Sequence, residues 1–352
     1  RAGQVGLGLG DAGGEPRDRH AHVGRPHPGA LAQGLVGIGG VVARLPQLAA
    51  ALDAGANVRR VAMPLPRPHP ELRPRTFSVT AIEKLVRDPY AIYARRILGL
   101  DPLPPLGAAP EPRLRGSLFH DALARWMEAQ TAGAPATLEV LLAEGAKVFA
   151  AYMTNPEVRQ FWWPRFKRMA HAFVEEDATV RADVAATLVE RDGAVPFDLA
   201  SQPHMLTARA DRIDVTATRK VRFIDYKGSQ APSGQQIKVG LSPQMTLEAA
   251  ILLQGAFAHA ALPQAVDDLI YILVSGGRTP VEIKPVSRML DNDKAKLSID
   301  ELVPRHFDGV KRLLAAYQEA GQPYVPRARM FKEDDASDYD HLSRYAEWSK
   351  GA

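Results

Sequence analysis

Residues 204–227 read HMLTARADRIDVTATRKVRFIDYK. Apolar and polar residues alternate through 204–216 and again through 220–227, the period of a half-buried strand. The short link Ala217-Thr218-Arg219 makes the two runs a β-hairpin. Upstream the pattern is helical. Leu118, Phe119, Ala122, Leu123 and Trp126 form one face of a helix from about Gly116 to Ala129, and residues 137–154 and 157–176 read as two more. Ile82, Leu85, Val86, Tyr90, Ile92 and Tyr93 follow a helical stripe bent at Pro89, with Ser78 or Thr80 as its cap and Thr80–Glu83 at capping-box spacing. Residues 185–190 read as a strand, Pro243–Ala260 as an apolar helix, Asp268–Val274 as a short strand, and the tail from about Asn292 as helical and then irregular. This order predicts an α/β domain, a small mixed sheet flanked by helices.

Length and composition bound the reading. The chain has 352 residues, 46% apolar and 24% charged, enough to bury a sizeable core. Its net charge of +4 is too small to indicate a nucleic-acid partner by itself. It has no cysteine, which excludes disulfides, thiolate metal sites, cysteine nucleophiles and Cys-ligated iron–sulfur clusters. Residues 1–40 hold 12 of the 28 glycines and have no helical or strand period. They read as a disordered leader or as sequence that is not native coding sequence. Residues 41–76 read as a short helix followed by a linker carrying Pro64, Pro66, Pro68, Pro70 and Pro74, and 77–350 as the main domain. With no secretory pattern in residues 1–20 and no long apolar run, a cytoplasmic protein is expected.

The chemistry gathers at Asp225-Tyr226-Lys227. Side chains at i and i+2 of a strand point the same way, so Asp225 and Lys227 share one face and Tyr226 takes the other. Alone, this pair reads first as a strand-end ion pair. Asp211, fourteen residues upstream on the partner strand, lies at a comparable height. Two converging acids repel unless a cation lies between them, and Mg²⁺ takes one or two carboxylates with several waters. Lys227 then sits where it positions a water and offsets transition-state charge. Asp214 points to the other face and ranks behind Asp211. His120, early in the 116–129 helix, is either a packed helix histidine or a metal ligand. Gln244, at a helix start, suits phosphate or site geometry, and Glu248, one turn on, shares its face or is a solvated acid. Arg113, Arg115, Arg209, Arg212, Arg219, Lys220, Arg222 and Lys238 surround these motifs as candidate phosphate contacts. Trp162, Trp163 and Phe166 read as core rather than as stacking platforms for bases.

The ordered set GSLFH (116–120), ARAD (208–211), DYK (225–227) and SPQMTLE (242–248) resembles the RecB-like branch of the PD-(D/E)XK nucleases. The resemblance implies His120, Asp211 and Asp225 as metal ligands, with the Tyr226 carbonyl as a possible addition. It places Lys227 beside the attacking water and gives Gln244 an accessory role; Glu248 stands where the family has tyrosine. It also implies a restriction-endonuclease-like core and Mg²⁺-dependent (or Mn²⁺-dependent) exonuclease action on DNA. From about Arg75 to Trp348, the phrases SVTAIEKLVRDPYAIYARRILGL and DYDHLSRYAEW resemble the AddB-type nuclease domain of double-strand-break-repair helicase–nucleases. That implies single-stranded DNA as substrate and an AddA-like motor subunit as partner, consistent with the absence of a G-x-x-x-x-G-K-[ST] loop. AddB-type domains often clamp an iron–sulfur cluster with four cysteines. Here the slots hold Asp88 and, near the C-terminus, Tyr339, Asp340 and His341. Packing through Tyr90, Tyr93, Tyr345 and Trp348 is expected in place of the cluster. Two other readings stay open: a catalytically inactive DNA-binding module of the same complex, and a stand-alone RecB-like exonuclease.

Overall fold

The structure, a computed structural model, describes residues 44–47, 49–50, 61–102, 112–228, 230–257, 262–291, 297–330 and 335–349. The expectations for residues 1–40, and for much of the short helix within 41–76, fall outside them. The chain forms two units, 1–60 and 61–352. In the first, residues 44–47 and 49–50 are helical; everything below concerns the second. Among the described residues no helix is long and apolar enough to cross a membrane.

The proline-rich stretch before residue 76 is irregular, with a 3₁₀ turn at Pro70–Leu72, and is half-buried or exposed except at Arg73. The Arg73 guanidinium, buried, donates to the carbonyls of Tyr317, Glu319 and Ala320. Strand β1 (Thr76–Ser78) leads into helix α1 (Val79–Arg87). Its cap is Ser78, whose hydroxyl accepts from the Ala81 N–H at 3.1 Å. The Thr80–Glu83 capping box is not used, because Glu83 turns inward to Ser242 and Arg87. Helix α2 (Pro89–Ile92) follows after one residue, since proline donates no N–H and starts a helix more readily than it continues one. Helices α3 (Pro112–Thr131), α4 (Leu138–Phe149) and α5 (Trp163–Val180) come next. The strands β2 (Val184–Leu199), β3 (Gln202–Thr216) and β4 (Val221–Lys227) then run as successive hairpins, with Arg219 at φ +58° in the β3–β4 turn. After α6 (Gly234–Lys238) comes α7 (Gln244–Leu253), which stops well short of Ala260 because the chain turns at Gly255, φ +67°. Strands β5 (Val266–Val274) and β6 (Val281–Pro285), then helices α8 (Val286–Asp291), α9 (Ile299–Ala316) and α10 (Tyr345–Ser349), complete the unit. The short strands β1 and β6 escape a periodicity reading because a three- or five-residue run carries too little pattern.

The six strands form one mixed sheet in the order β1-β3-β4-β5-β6, with β2 on the other edge of β3. This matches the expected restriction-endonuclease-like α/β class. Helices cover both faces. Odd residues of β4 and β5 (Phe223, Leu269, Tyr271, Leu273) pack with α1, α7 and α9. Even residues (Ile224, Tyr226, Ile270, Ile272) pack with α3, α4 and α5. The expected apolar face of α3 is wholly buried, as are Trp162 and Phe166, so these aromatics serve the core.

The long strand β3 pairs with β2 along one edge, but its other edge is split. β1 pairs in parallel with Met205–Thr207, and β4 pairs antiparallel with Arg212–Val215. Between them, residues 208–211 have no strand partner on that edge, and Asp211 stands in this gap. The side-chain parity of β3 changes at the same place. Leu206, Ala208 and Ala210 face the α7 side, and so does Ile213.

The segment after α9 is tied back to the start of the domain. Asp88, 2% exposed, accepts from the Arg327 backbone N–H at 3.1 Å and from the Ser337 hydroxyl. Arg327 in turn donates to Asp340 at 2.9 Å. Tyr90 and Tyr93 pack on each other (5.6 Å), as do Tyr345 and Trp348 (5.1 Å). No ring contact joins the two pairs among the described residues; Tyr90 and Tyr93 instead pack with Tyr339 and Leu342 of the C-terminal segment, and the buried Asp88 carboxylate adds a polar tie.

Candidate active site at the carboxyl end of β4

The hairpin places Asp225 at the level of Asp211, one step beyond the last paired residues Arg212 and Ile224. Pleat alternation puts Asp225 and Lys227 on the α7 face and sends Tyr226 into the opposite core. The backbone N–H of Tyr226 has left the ladder and donates to Asp211 Oδ2 at 3.1 Å. The Tyr226 hydroxyl accepts from Arg212 at 3.3 Å on the far face.

Asp225 is 3% exposed. Its Oδ1 accepts from Lys227 Nζ at 3.0 Å and from Gln244 Nε2 at 2.9 Å. Its Oδ2 lies 2.8 Å from Lys227 Nζ but receives no aligned hydrogen bond. Burial raises the Asp225 carboxyl to about 6; Lys227 opposes the rise and Asp211 adds to it. Burial works against the Lys227 ammonium, but Asp225 outweighs it and holds the amine above its ordinary range. Gln244, at the first turn of α7, braces the pair: its amide carbonyl lies 3.4 Å from Lys227 Nζ while its amide nitrogen reaches Asp225.

That same nitrogen is 3.3 Å from Glu248 Oε1. Glu248 is 2% exposed, which corrects the reading of a solvated helix acid. Helix α7 is buried on all sides from Met245 to Leu252, wedged between the sheet and α9, so no face of it is left for a solvated side chain. Burial first, then Asp225 and Asp211, push the Glu248 carboxyl well above its usual range.

His120 projects from α3 to the same gap. Its Nε2 lies 2.9 Å from Asp211 Oδ2 and its Nδ1 3.7 Å from Glu190 Oε1. Burial disfavours the imidazolium, but Asp211 and Glu190 outweigh it and raise the ring to about 9. His120, Glu190 and Asp211 each offer a ligand atom, and these atoms lie within 4.8 Å of one another. Glu190 was not anticipated. It faces Asp211 across the β2–β3 register, at φ +49°, and a sequence signal for it would have required knowing that β2 runs on past residue 190.

Other expected residues lie elsewhere. Asp214 and Arg212 are fully buried on the opposite face, joined at 2.6 and 2.9 Å, with Asp177 as a further partner of Arg212. This corrects Arg212 as a phosphate contact, because a guanidinium closed in by two carboxylates is out of reach of a ligand. Arg209 pairs with Glu190 at 2.7 Å, and Arg222 with Asp183 and Asp267, both at 2.6 Å. The side chain of Arg113 is outside the described residues. A cavity of about 450 Å³ opens beside Lys227 and Gln244, bounded by Glu83, Gln236, Ser242 and Tyr271.

An uncharacterized protein of Rickettsia bellii is 25% identical over 283 residues, covering 78% of this chain and 33% of its own length. The uncharacterized protein RC0550 of Rickettsia conorii is 26% identical over 300 residues, covering 77% and 34%. The chain thus spans about a third of the length of the curated relatives it matches. The crystal structure of SSO0001 matches at a TM-score of 0.27 and 13% identity, over 67% of this chain and 75% of that one, too slight a likeness to carry an argument. Residues 76–328, which hold the hairpin, the gap and every side chain of the cluster around Asp225, match the PD-(D/E)XK nuclease superfamily, and the chain belongs to it.

Proposed function

We propose that this chain is a metal-dependent deoxyribonuclease whose divalent cation, Mg²⁺ or Mn²⁺, is held by His120, Asp211 and Asp225, with Glu190 and the Tyr226 carbonyl beside them. The observation that carries the reading is the excess of acid at the end of β4, where two of the carboxyls, Asp225 and Glu248, are buried. Asp211, Asp225 and Glu248 face Lys227 and His120, and the buried Asp225 Oδ2 lacks an aligned donor. Carboxylate oxygens with one imidazole suit a hard divalent ion. When bound, such an ion polarises a phosphoryl oxygen and lowers the pKa of its water.

The chain's own residues have separable tasks. Lys227, kept charged by Asp225, orients the attacking water and offsets negative charge on the phosphorus centre; a raised pKa makes it a poor general base. Gln244 holds the Lys227 and Asp225 side chains in register. His120 and the Tyr226 N–H fix the Asp211 carboxylate. In the net reaction the water oxygen bonds to phosphorus, the P–O ester bond breaks, and the departing sugar oxygen takes a proton.

The motif order and the 338–348 phrase favour an AddB-type subunit. In that setting the domain acts as an exonuclease in the cytoplasm, in double-strand-break repair, on a single strand delivered by an AddA-like motor. Relatives well over twice as long suit a nuclease domain within a larger protein. The test is cleavage of end-labelled single-stranded DNA with Mg²⁺ by the purified protein and by Asp225→Ala. A loss on the order of 10³-fold is expected; equal cleavage by the two proteins overturns the assignment.

A further inference from the structure

A second cavity, of about 300 Å³, lies across the 236–244 corner from the catalytic cleft. Lys238, Arg305, Arg312 and Arg329 line it, and no acid does. This is a marked local imbalance in a chain with 44 basic and 40 acidic residues. Arg305, Arg312 and Arg329 are exposed, and among the described residues none of their side chains has a hydrogen bond or ion pair. Their floor is apolar, formed by Ile82 and Val86 of α1 with Val310 and Leu313 of α9.

The cavity is coupled to the cleft by shared elements. Glu83 of α1 borders the cleft and Ile82 borders the cationic cavity; Gln236 and Lys238 divide in the same way, as do Gln244 and Pro243. His306, buried, fixes the arginine-bearing α9 to this corner. Its Nδ1 is 2.8 Å from the Thr246 hydroxyl and its Nε2 3.5 Å from the Lys238 carbonyl.

We propose that this cavity binds the phosphodiester backbone of the substrate strand on one side of the scissile bond, at a site separate from the catalytic cation. The inference rests on the nuclease reading for its choice of ligand. Unpaired guanidinium groups recognise phosphate without regard to base sequence. The apolar floor gives a base or sugar a surface to lie on, and the shared corner places the cavity beside the strand's path out of the cleft.

The test is fluorescence anisotropy of the whole chain with labelled oligothymidylate in EDTA, where nothing is cleaved, across a salt series. Arg305→Ala/Arg312→Ala/Arg329→Ala is expected to bind about tenfold more weakly at low salt, with a log–log salt slope shallower by about 2, at ~0.7 per single-strand phosphate contact. The control Arg125→Ala/Arg159→Ala/Lys167→Ala removes the same charge from exposed positions elsewhere and is expected to keep the wild-type slope. An unchanged slope in the cavity variant, or an equal fall in the control, overturns the proposal. All these side chains are exposed, so both variants are expected to melt with the wild type. A wild-type protein that binds DNA through the cavity yet cleaves nothing with Mg²⁺ refutes the nuclease reading and leaves this one standing.

Discussion

Two clusters of buried charge lie back to back across β4, and they are finished to different degrees. On the α5 side, Arg212 meets Asp177, Asp214 and the Tyr226 hydroxyl, and Asp214 also accepts from Thr187 at 2.7 Å. Arg181 lies 3.5 Å from Asp177, so two cations face two carboxylates. Toward α7, Lys227 faces Asp225 and Glu248, with Asp211 and, from α3, His120 meeting in the β3 gap, and two of these acids are pushed upward by burial. The matched cluster is the deeper one: Arg212, Asp177 and Asp214 are at most 2% exposed, against 32% for Lys227 and 17% for Asp211. The first network is balanced in charge, although Arg181 Nε has no aligned hydrogen bond, and it serves the fold. An unmatched excess of acid is unfavourable until a cation offsets it, which is how a site differs from a structural ion pair.

The comparison is broken most severely at the reacting groups. Lys227→Ala is expected to lower DNA cleavage on the order of 10³-fold and, because it takes the counter-charge from the buried Asp225, also to lower the midpoint of urea unfolding. A variant that cleaves normally removes the amine from the chemistry. On the matched face the large effect is on stability instead. Arg212→Met leaves Asp177 and Asp214 buried without their cation and is expected to cost about 3–5 kcal/mol in urea denaturation. A loss below about 1 kcal/mol shows that the network is not the structural counterpart described here.

The unmatched face is expected to respond in the opposite direction. Asp225 has a folded pKa of about 6 against an ordinary 3.8. Because the folded value is raised, the unfolded chain gives up this proton first, and metal-free stability falls as pH rises from about 4 to 6. Asp225→Asn is expected to abolish that decline and to stabilise the metal-free protein at neutral pH by about 1 kcal/mol, with cleavage lost. Denaturation curves at several pH values, in chelator, measure it; a destabilised variant contradicts the charge balance.

A further effect concerns His120, whose raised pKa of about 9 leaves it protonated at neutral pH in the metal-free protein. A cation taken up there displaces that proton. Its affinity therefore rises with pH up to about 9, by at most about tenfold per unit, with proton release visible in calorimetry across buffers of different ionisation heat. Affinity independent of pH between 7 and 9 means that the imidazole is not a ligand.

Much of this was legible in residue order. The 204–227 alternation names the hairpin because period two is a local property, and the pleat fixes Asp225 and Lys227 on one face whatever surrounds them. Glu190 was hidden because its relation to Asp211 depends on which strand covers the other edge of β3, a contact across the sheet. The burial of Glu248 was hidden for a similar reason. One turn beyond Gln244 describes a helix face but not the sheet and the α9 helix that close over it. Arg212 looked like a phosphate contact because a strand arginine carries no mark of the carboxylates on other elements that will enclose it.

The sequence by itself determined the α/β class, the hairpin, the shared face of Asp225 and Lys227, and the absence of thiol chemistry, since each follows from backbone geometry or from composition. The tertiary structure alone decided which acids are paired and which are left in excess. Charge balance at a point depends on side chains from α3, β2, β3, β4 and α7 meeting in space, and on how completely water is removed from them.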